Sequence, residues 1–168
     1  MKDRGRLSQL IKGAGEALIV TELHRHDLIA VSFSGNNPLY DVLATDRNRN
    51  IFFIQVRASR YPSWHGHAGD FGLEIEFEER KQKVKKGLLW NPDLIWAFVV
   101  IGEDHHQDRL FFLGAETLQN LQYKRYREFL KKCGSIRPRN YKSDHIDMKD
   151  KYIMQYENNW QIFSKRRK

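Results

Sequence analysis

The stretch Leu39–Ser59, LYDVLATDRNRNIFFIQVRAS, decides the fold. It consists of two runs rich in β-branched and aromatic residues, Leu39–Thr45 and Ile51–Ser59, on either side of a polar segment. Runs of this composition joined by a short polar loop are typical of a β-hairpin. The sequence therefore predicts two antiparallel strands connected through Asp46–Asn50.

The pairing of this hairpin brings polar side chains together at one end. If Thr45 pairs with Ile51, Asp41 lies opposite Gln55, and opposed Cβ atoms are about 4.5–5.5 Å apart. The alternation of side chains along a strand places Arg57 on the same face as Gln55. The other face is apolar throughout and predicts a core surface, formed by Val42, Ala44, Phe52, Ile54 and Val56.

The rest of the pattern predicts an α/β protein with a mixed central sheet flanked by helices. Helices are predicted over about 7–26, 78–86 and 116–132, strands over 28–33, 94–101 and 109–113, a turn over 34–38 and a loop over 62–72. The segment 73–77 fits either a strand or the acidic first turn of the second helix, and 152–163 fits a short helix with a packing segment. Gly13 and Gly15 interrupt the first helix and allow another backbone to approach closely.

Composition narrows the class of protein. The chain has 168 residues, 29 Lys and Arg against 21 Asp and Glu, and a formal net charge of +8, which suits a polyanion such as nucleic acid. We expect one domain over 1–168. The lone Cys133 excludes a disulfide within the chain. No apolar run is long enough to span a membrane, and MKDRGRLSQL lacks the apolar stretch of a signal peptide, so we expect a cytoplasmic protein.

The polar hairpin end suits a hard divalent cation, which binds one or two carboxylates, carbonyl oxygens and water. The carboxylate of Asp41, the amide oxygen of Gln55 and the backbone carbonyl of Val56 form such a set. A structural ion pair between Asp41 and Arg57, bridged by Gln55, fits the same spacing. Glu16 emerges from an apolar helical patch and is either a fourth member of the site or a partly exposed residue at the edge of the buried stripe.

These residues resemble the motifs of the PD-(D/E)XK nuclease superfamily, whose restriction-endonuclease-like fold is shared by Holliday-junction resolvases. The resemblance rests on Glu16 in GAGEALIV, Asp41 in PLYDVLATD, and Gln55 with Arg57 in FFIQVRAS. It implies an αβββαβ core over about 7–102, an α+β elaboration over about 103–164 and a basic tail at 165–168. It also implies an Mg²⁺-dependent or Mn²⁺-dependent nuclease acting on DNA, and a homodimer.

The resemblance assigns metal ligation to Asp41 and Gln55, an auxiliary metal role to Glu16, and the place of the family's water-orienting lysine to Arg57. Two residues depart from the family pattern. Gln55 carries no charge where an acid is usual, and the guanidinium of Arg57 stays protonated, so it cannot act as a base. The alternative function is therefore a pseudo-nuclease that binds nucleic acid or a partner protein.

Basic and aromatic residues supply candidate contacts to DNA. Basic side chains cluster on the predicted helices at 78–86 and 116–132, a pattern that is also typical of a solvated helix face. With the residues after the hairpin they could follow a phosphate backbone or stack a base. The candidate nucleic-acid contacts are Arg47, Arg49, Arg60, Trp64, Lys83 and Lys86.

Overall fold

The computed structural model describes residues 3–33 and 39–164, so the predicted turn at 34–38 and the basic tail at 165–168 lie outside the described residues. The chain forms two compact units. One comprises Met1–Trp64, Asp93–Gly114 and Lys149–Lys168, and the other comprises His65–Pro92 and Ala115–Met148. The expectation of a single domain stays a prediction.

Two α-helices and nine strands make up the regular structure of the described residues. In chain order they are α1 Asp3–Arg25, β1 Ile29–Ser32, β2 Val42–Thr45, β3 Ile51–Ser59, β4 Ser63–His67, β5 Leu73–Glu78, β6 Lys81–Lys86, β7 Ile95–Val100, β8 Arg109–Gly114, α2 Ala115–Lys132 and β9 His145–Lys149. Short 3-10 helices cover Ala68–Phe71, His105–Gln107, Asp150–Tyr152, Met154–Tyr156 and Trp160–Ser164. Neither α-helix is long and apolar enough to cross a membrane.

The central sheet of the first unit has the strand order β1-β2-β3-β7-β8. Strands β3 and β7 run parallel, and the other neighbours run antiparallel. The sheet is therefore mixed, as predicted. The hairpin has the predicted register, with Thr45 opposite Ile51 and Leu43 opposite Phe53.

One face of this sheet forms the core against α1. Ile19 and Leu23 of α1 are fully buried there. The apolar hairpin face predicted from the sequence lies in the same core, together with residues of β7, β8 and the last 3-10 helix: Val42, Ala44, Phe52, Ile54, Val56, Ala97, Val99, Phe112 and Phe163. Every residue of β7 is buried, as expected for a central strand that is covered on both faces.

Gly15 is a point of close approach between α1 and the sheet. A Cβ atom added there would overlap with the Cβ of Ala58 on β3 and would lie 3.7 Å from Cγ1 of Val56. The predicted close approach is therefore confirmed for Gly15. Gly13, two residues earlier on the exposed side of the helix, has nothing within 4 Å of such an atom.

The helix predicted over 78–86 is wrong. Within this range Lys81–Lys86 forms β6, which pairs with β5 (Leu73–Glu78) in an antiparallel hairpin, so 73–77 is a strand. The run KQKVKK alternates, with Gln82 and Val84 buried and the lysines exposed. This period of two matches a half-buried strand, and it prevails over the helical propensity of Lys and Gln. The αβββαβ core thus has a hairpin where its second helix was expected.

The predictions for segments 62–72 and 152–163 are also corrected. The glycine-rich segment 62–72 holds β4 and a 3-10 helix instead of a loop, and β4 pairs with the unpredicted β9. The predicted short helix at 152–163 is a series of 3-10 turns. Arg109 fixes this segment, because its guanidinium binds Asp150 at 2.7 Å and Glu157 at 2.8 Å.

Buried amides organise the second unit. Gln82 donates to the carbonyls of Tyr141 and Ser143 and accepts a hydrogen bond from the Tyr126 hydroxyl at 2.6 Å. Gln119 of α2 donates to the carbonyls of Gly72 and Gly87, which are adjacent at the open end of the β5–β6 hairpin. Because buried polar groups are costly unless they are paired, these bonds explain how two amide side chains are accommodated at buried positions.

Candidate metal site

Asp41 lies at the point where β3 runs on beyond the end of β2. Its backbone N–H donates to the carbonyl of Ile54 at 2.9 Å, which holds the residue beside β3. Its carboxylate Oδ2 accepts hydrogen bonds from the backbone N–H of Val56 at 2.8 Å and from the Gln55 amide. The Asp41 carboxylate therefore accepts the backbone N–H of Val56, which a neighbouring strand would otherwise pair. This pairing explains why a carboxylate that is only 6% exposed is tolerated here.

The Asp41–Gln55 contact is the one that the hairpin pairing predicts. The nitrogen of the Gln55 amide faces Asp41, so its oxygen points away from Oδ2. Gln55 thus acts in this structure as a donor that orients Asp41, and metal ligation by its oxygen would require the amide to turn. The carbonyl of Val56 lies at the same edge of β3 as its N–H group, because both groups of a strand residue point to one side.

Lys12 completes the site, and the sequence analysis missed it. Its Nζ atom lies 3.5 Å from Oε1 of Glu16 and 3.7 Å from Oδ1 of Asp41. The helix acid and the hairpin acid therefore reach the same ammonium group. The signal was available, because Lys12 and Glu16 are four residues apart on the predicted helix and side chains at that spacing are neighbours.

The electrostatics of Glu16 reflect this arrangement. Partial burial raises the pKa of its carboxyl group above the ordinary value, and the negative charge of Asp41 raises it further. The Lys12 ammonium opposes both effects by attraction and hydrogen bonding. Two neighbouring carboxylates in a partly buried site repel each other when both are ionised, and a bound cation would relieve this repulsion.

Arg57 lies on the Gln55 side of β3, as predicted. The carbon at the centre of its guanidinium group is 5.6 Å from the centroid of the Trp96 ring, at a distance suited to a cation–π contact. Trp96 is buried and stands opposite Gln55 in the β3–β7 pairing. The Trp96 ring on β7 therefore holds the Arg57 guanidinium. Arg57 lies two residues along β3 from Gln55, which contacts Asp41.

Asp41 Oδ1 and the Glu16 carboxylate are the groups that can hold a divalent cation here. Oδ2 of Asp41 already accepts two N–H groups, whereas Oδ1 faces only the ammonium among the interactions above. In the part of the chain that the structure describes, no three His, Cys, Asp or Glu residues gather as a metal site. Mg²⁺ binds in proteins through one or two carboxylates and retained water, so this pair fits it.

Within the first unit, the predicted DNA contacts are not gathered in one place. Arg47 and Arg49 are exposed in the hairpin loop, at the end remote from Asp41, and Arg47 lies 3.8 Å from Asp27. Arg60 is exposed directly after β3, at the end where Arg57 lies. Trp64 is only 4% exposed, and its indole N–H donates to the carbonyl of Val99 at 3.1 Å. This burial corrects the expectation that Trp64 stacks a base.

Lys83 and Lys86 lie on a strand and not on the predicted basic helix. Lys83 stands directly opposite Glu76 on β5, in a row of three opposed Glu–Lys pairs along the hairpin. Glu76 also forms an ion pair with Lys85. Lys86 contacts the Asn120 side chain and lies 5.5 Å from the Tyr123 ring centroid. The basic charge on this hairpin is thus largely matched by acidic neighbours. These pairs lie across two strands, so the predicted helix did not reveal them.

No family model matches the sequence, and no curated protein matches it. Among solved structures, the chain is similar to a bacterial homing endonuclease, I-Ssp6803I, with a TM-score of 0.49 and 9% identity over 93% of each chain. It is also similar to Hjc, a Holliday junction resolvase of Archaeoglobus fulgidus, with a TM-score of 0.44 and 10% identity over 86% of this chain and 88% of that one.

The chain's own topology carries the conclusion on fold. A first helix packs on β3 of the β1–β2–β3 meander, and β7 returns parallel to β3, as the resemblance implied. The second core helix that it also implied is replaced by the β5–β6 hairpin. Glu16 lies on α1, Gln55 and Arg57 lie on β3, and Asp41 lies directly before β2 instead of within the predicted strand 39–45. By this topology the chain is an α/β protein with a mixed central sheet, consistent with a restriction-endonuclease-like fold.

Proposed function

We propose that the protein is a Mg²⁺-dependent nuclease that hydrolyses phosphodiester bonds of DNA at the Glu16–Asp41 pair. One observation carries the proposal: carboxylates from α1 and from the start of β2 converge on a single cationic group, at 3.5 and 3.7 Å. Two acids at the end of a mixed sheet, next to a strand that carries Gln55 and Arg57, supply the oxygen ligands with which a protein holds a catalytic divalent ion.

In this proposal Asp41 and Glu16 hold the ion through Asp41 Oδ1 and a Glu16 oxygen. Gln55 and the Val56 N–H fix the Asp41 carboxylate, so that Oδ1 keeps its direction. A bound Mg²⁺ would polarise a phosphoryl oxygen and lower the pKa of the attacking water. Mn²⁺ suits the same oxygen ligands.

Arg57 has an electrostatic role in the proposal. Its guanidinium stays protonated at any working pH, so it cannot take a proton from water. It can stabilise negative charge that develops on the phosphate, as fixed cations do in phosphoryl transfer. The contact with the Trp96 ring supports this role, because it restricts the guanidinium to one side of β3.

DNA is the proposed substrate and partner because the chain carries a net charge of +8. Arg60 is the proposed phosphate contact at the active end of β3, and Arg47 and Arg49 extend the basic surface along the hairpin. A homodimer stays a prediction that light scattering on the purified protein will test.

The test incubates pure protein with plasmid, branched and single-stranded DNA, with Mg²⁺ or Mn²⁺, beside an Asp41→Ala control. Cleavage of at least one substrate by the wild type, lost in the control, is the expected result. The same traces for both proteins on every substrate would exclude the enzyme. Arg57→Lys is a useful companion, because activity seen only in that variant identifies a decayed nuclease.

A second candidate is a binding module that has kept the fold without the chemistry. Two features favour it: the Lys12 ammonium already neutralises part of the acidic pair, and Gln55 offers a donor where the family has an acid. Such a module retains DNA at low salt, releases it as salt rises and leaves it intact. If the protein does not retain DNA at low salt, this second candidate is excluded.

A further inference from the structure

We propose that Lys12 is a built-in competitor of the divalent cation, whose ammonium holds the place between Glu16 and Asp41 and must withdraw before the ion binds. The inference rests on the proposed function, because it concerns how the same site is regulated. In this inference metal affinity is controlled by Lys12, which is not one of the motif residues Glu16, Asp41, Gln55 and Arg57. It also explains how the acidic pair is kept stable in the absence of metal.

The first step of the argument is that the ammonium and the ion need the same oxygen atoms. Lys12 Nζ approaches Oδ1 of Asp41, which is the carboxylate oxygen that the backbone and Gln55 do not use, and it approaches Oε1 of Glu16. A cation cannot bind these oxygens at about 2.1 Å, the Mg²⁺ distance, while an ammonium stands between them.

The second step is that the lysine can move and Asp41 cannot. The Lys12 side chain is 45% exposed, whereas that of Asp41 is 7% exposed. Asp41 is fixed by hydrogen bonds to Val56 and Gln55, and α1 is held against β3 at Gly15. A lysine ammonium sits on a flexible four-carbon stem and is readily hydrated, so the Lys12 ammonium can move into solvent.

The third step is the balance of charge. Glu16 and Asp41 carry two negative charges when ionised, and one ammonium leaves an excess of one. Replacement of the ammonium by a divalent ion neutralises the pair completely. The ammonium therefore weakens metal binding without abolishing it, because the divalent ion interacts more strongly with the same two carboxylates.

The experiment measures Mn²⁺ binding directly, from the electron paramagnetic resonance signal of free Mn²⁺ during titration of the full chain. The variants are Lys12→Met, Lys12→Gln as a polar alternative, and Lys124→Met as a matched control. The control removes one exposed lysine charge from α2 and leaves the acidic pair untouched. Asp41→Asn provides the reference for loss of the site.

The expected result is tighter Mn²⁺ binding by both Lys12 variants, on the order of fivefold, the effect of removing an ion pair of roughly 1 kcal/mol. Lys124→Met should bind as the wild type does, and Asp41→Asn should lose the site. Equal or weaker binding by the Lys12 variants, with binding still lost in Asp41→Asn, overturns this inference and leaves the proposed function standing. No Mn²⁺ binding by any protein overturns both.

Discussion

The Gln55 side-chain amide donates a hydrogen bond to the Asp41 carboxylate, and the neighbouring Val56 N–H donates another to the same oxygen at 2.8 Å. A carboxylate held by two donors has a fixed orientation, so its second oxygen is presented in one direction. That direction is toward Lys12 and Glu16. The geometry of the candidate site thus originates in the way Asp41 completes the edge of β3.

The first prediction concerns the structural cost of removing Asp41. Asp41→Ala leaves the buried Val56 N–H without its acceptor, and we expect a loss of about 1–3 kcal/mol in the free energy of unfolding. Asp41→Asn keeps an oxygen acceptor in the same place and should cost less. Urea unfolding of the two variants measures the difference, and equal losses would contradict the role given to the Val56 bond.

The second prediction concerns the close approach of α1 and β3. Gly15→Ala forces two Cβ atoms to overlap at Ala58, so we expect a loss of about 1–3 kcal/mol from overpacking. Gly13→Ala is the matched control, because its Cβ meets nothing within 4 Å and Ala has the higher helix propensity. It should stabilise the protein by up to about 1 kcal/mol.

A compensating change sharpens that test. Ala58→Gly removes the atom that the new Cβ of Gly15→Ala would meet, so the double variant should recover part of the lost stability. Thermal unfolding of the two single variants and the double variant gives the coupling between the positions. Strict additivity of the two changes would show that the helix does not touch β3 at this point.

The third prediction is a pH dependence that follows from the raised pKa of Glu16. Burial and then Asp41 raise this pKa in the folded state, so between the unfolded and the folded pKa the folded state binds more protons. Stability therefore falls as pH rises through that window. Glu16→Gln removes the titrating group, and its effect on stability should become more favourable from about pH 4 to about pH 7.

Chemical unfolding of the wild type and Glu16→Gln at the two pH values is the measurement. The difference between their urea midpoints should shift in favour of the variant at the higher pH. A constant difference would show that Glu16 has the same pKa in both states. The same variant should lose divalent-ion affinity, so stability and metal binding should change in opposite directions.

The fourth prediction separates two exposed basic residues that the sequence treats alike. Lys83 faces Glu76 across the hairpin, so Lys83→Gln should change DNA affinity by less than about twofold. Arg60 lies directly after β3, at the end where Arg57 lies, and Arg60→Gln should weaken binding and reduce the salt slope by about 1. Fluorescence anisotropy with a labelled duplex at several salt concentrations gives both values, and equal effects would contradict this assignment.

The fold was predictable where the alternation of side chains was unambiguous. The hairpin register follows from residues such as Thr45 and Ile51, because one face is apolar throughout and a slip of one residue would expose it. The prediction failed for β6, where lysines dominate the local composition. There the decisive contacts are distant in sequence, such as those of Gln82 with Tyr126 and Ser143.

The site was predictable in part for the same reason. The Asp41–Gln55 contact is a consequence of strand pairing and could be derived from spacing. The position of Lys12 depends on how α1 crosses the sheet, which Gly15 and Ala58 determine by packing. The burial of Trp64 likewise depends on Phe98 and Phe111, with ring centroids at 5.2 and 5.9 Å, and no local pattern encodes it.

The most direct test of the central claim, that Glu16 and Asp41 share one divalent cation, is anomalous diffraction from a crystal soaked in Mn²⁺. We predict a Mn²⁺ peak about 2.1 Å from Asp41 Oδ1 and from a Glu16 oxygen, with the Lys12 ammonium displaced. A map that shows no anomalous peak at saturating Mn²⁺, with Lys12 still between the two carboxylates, would contradict it.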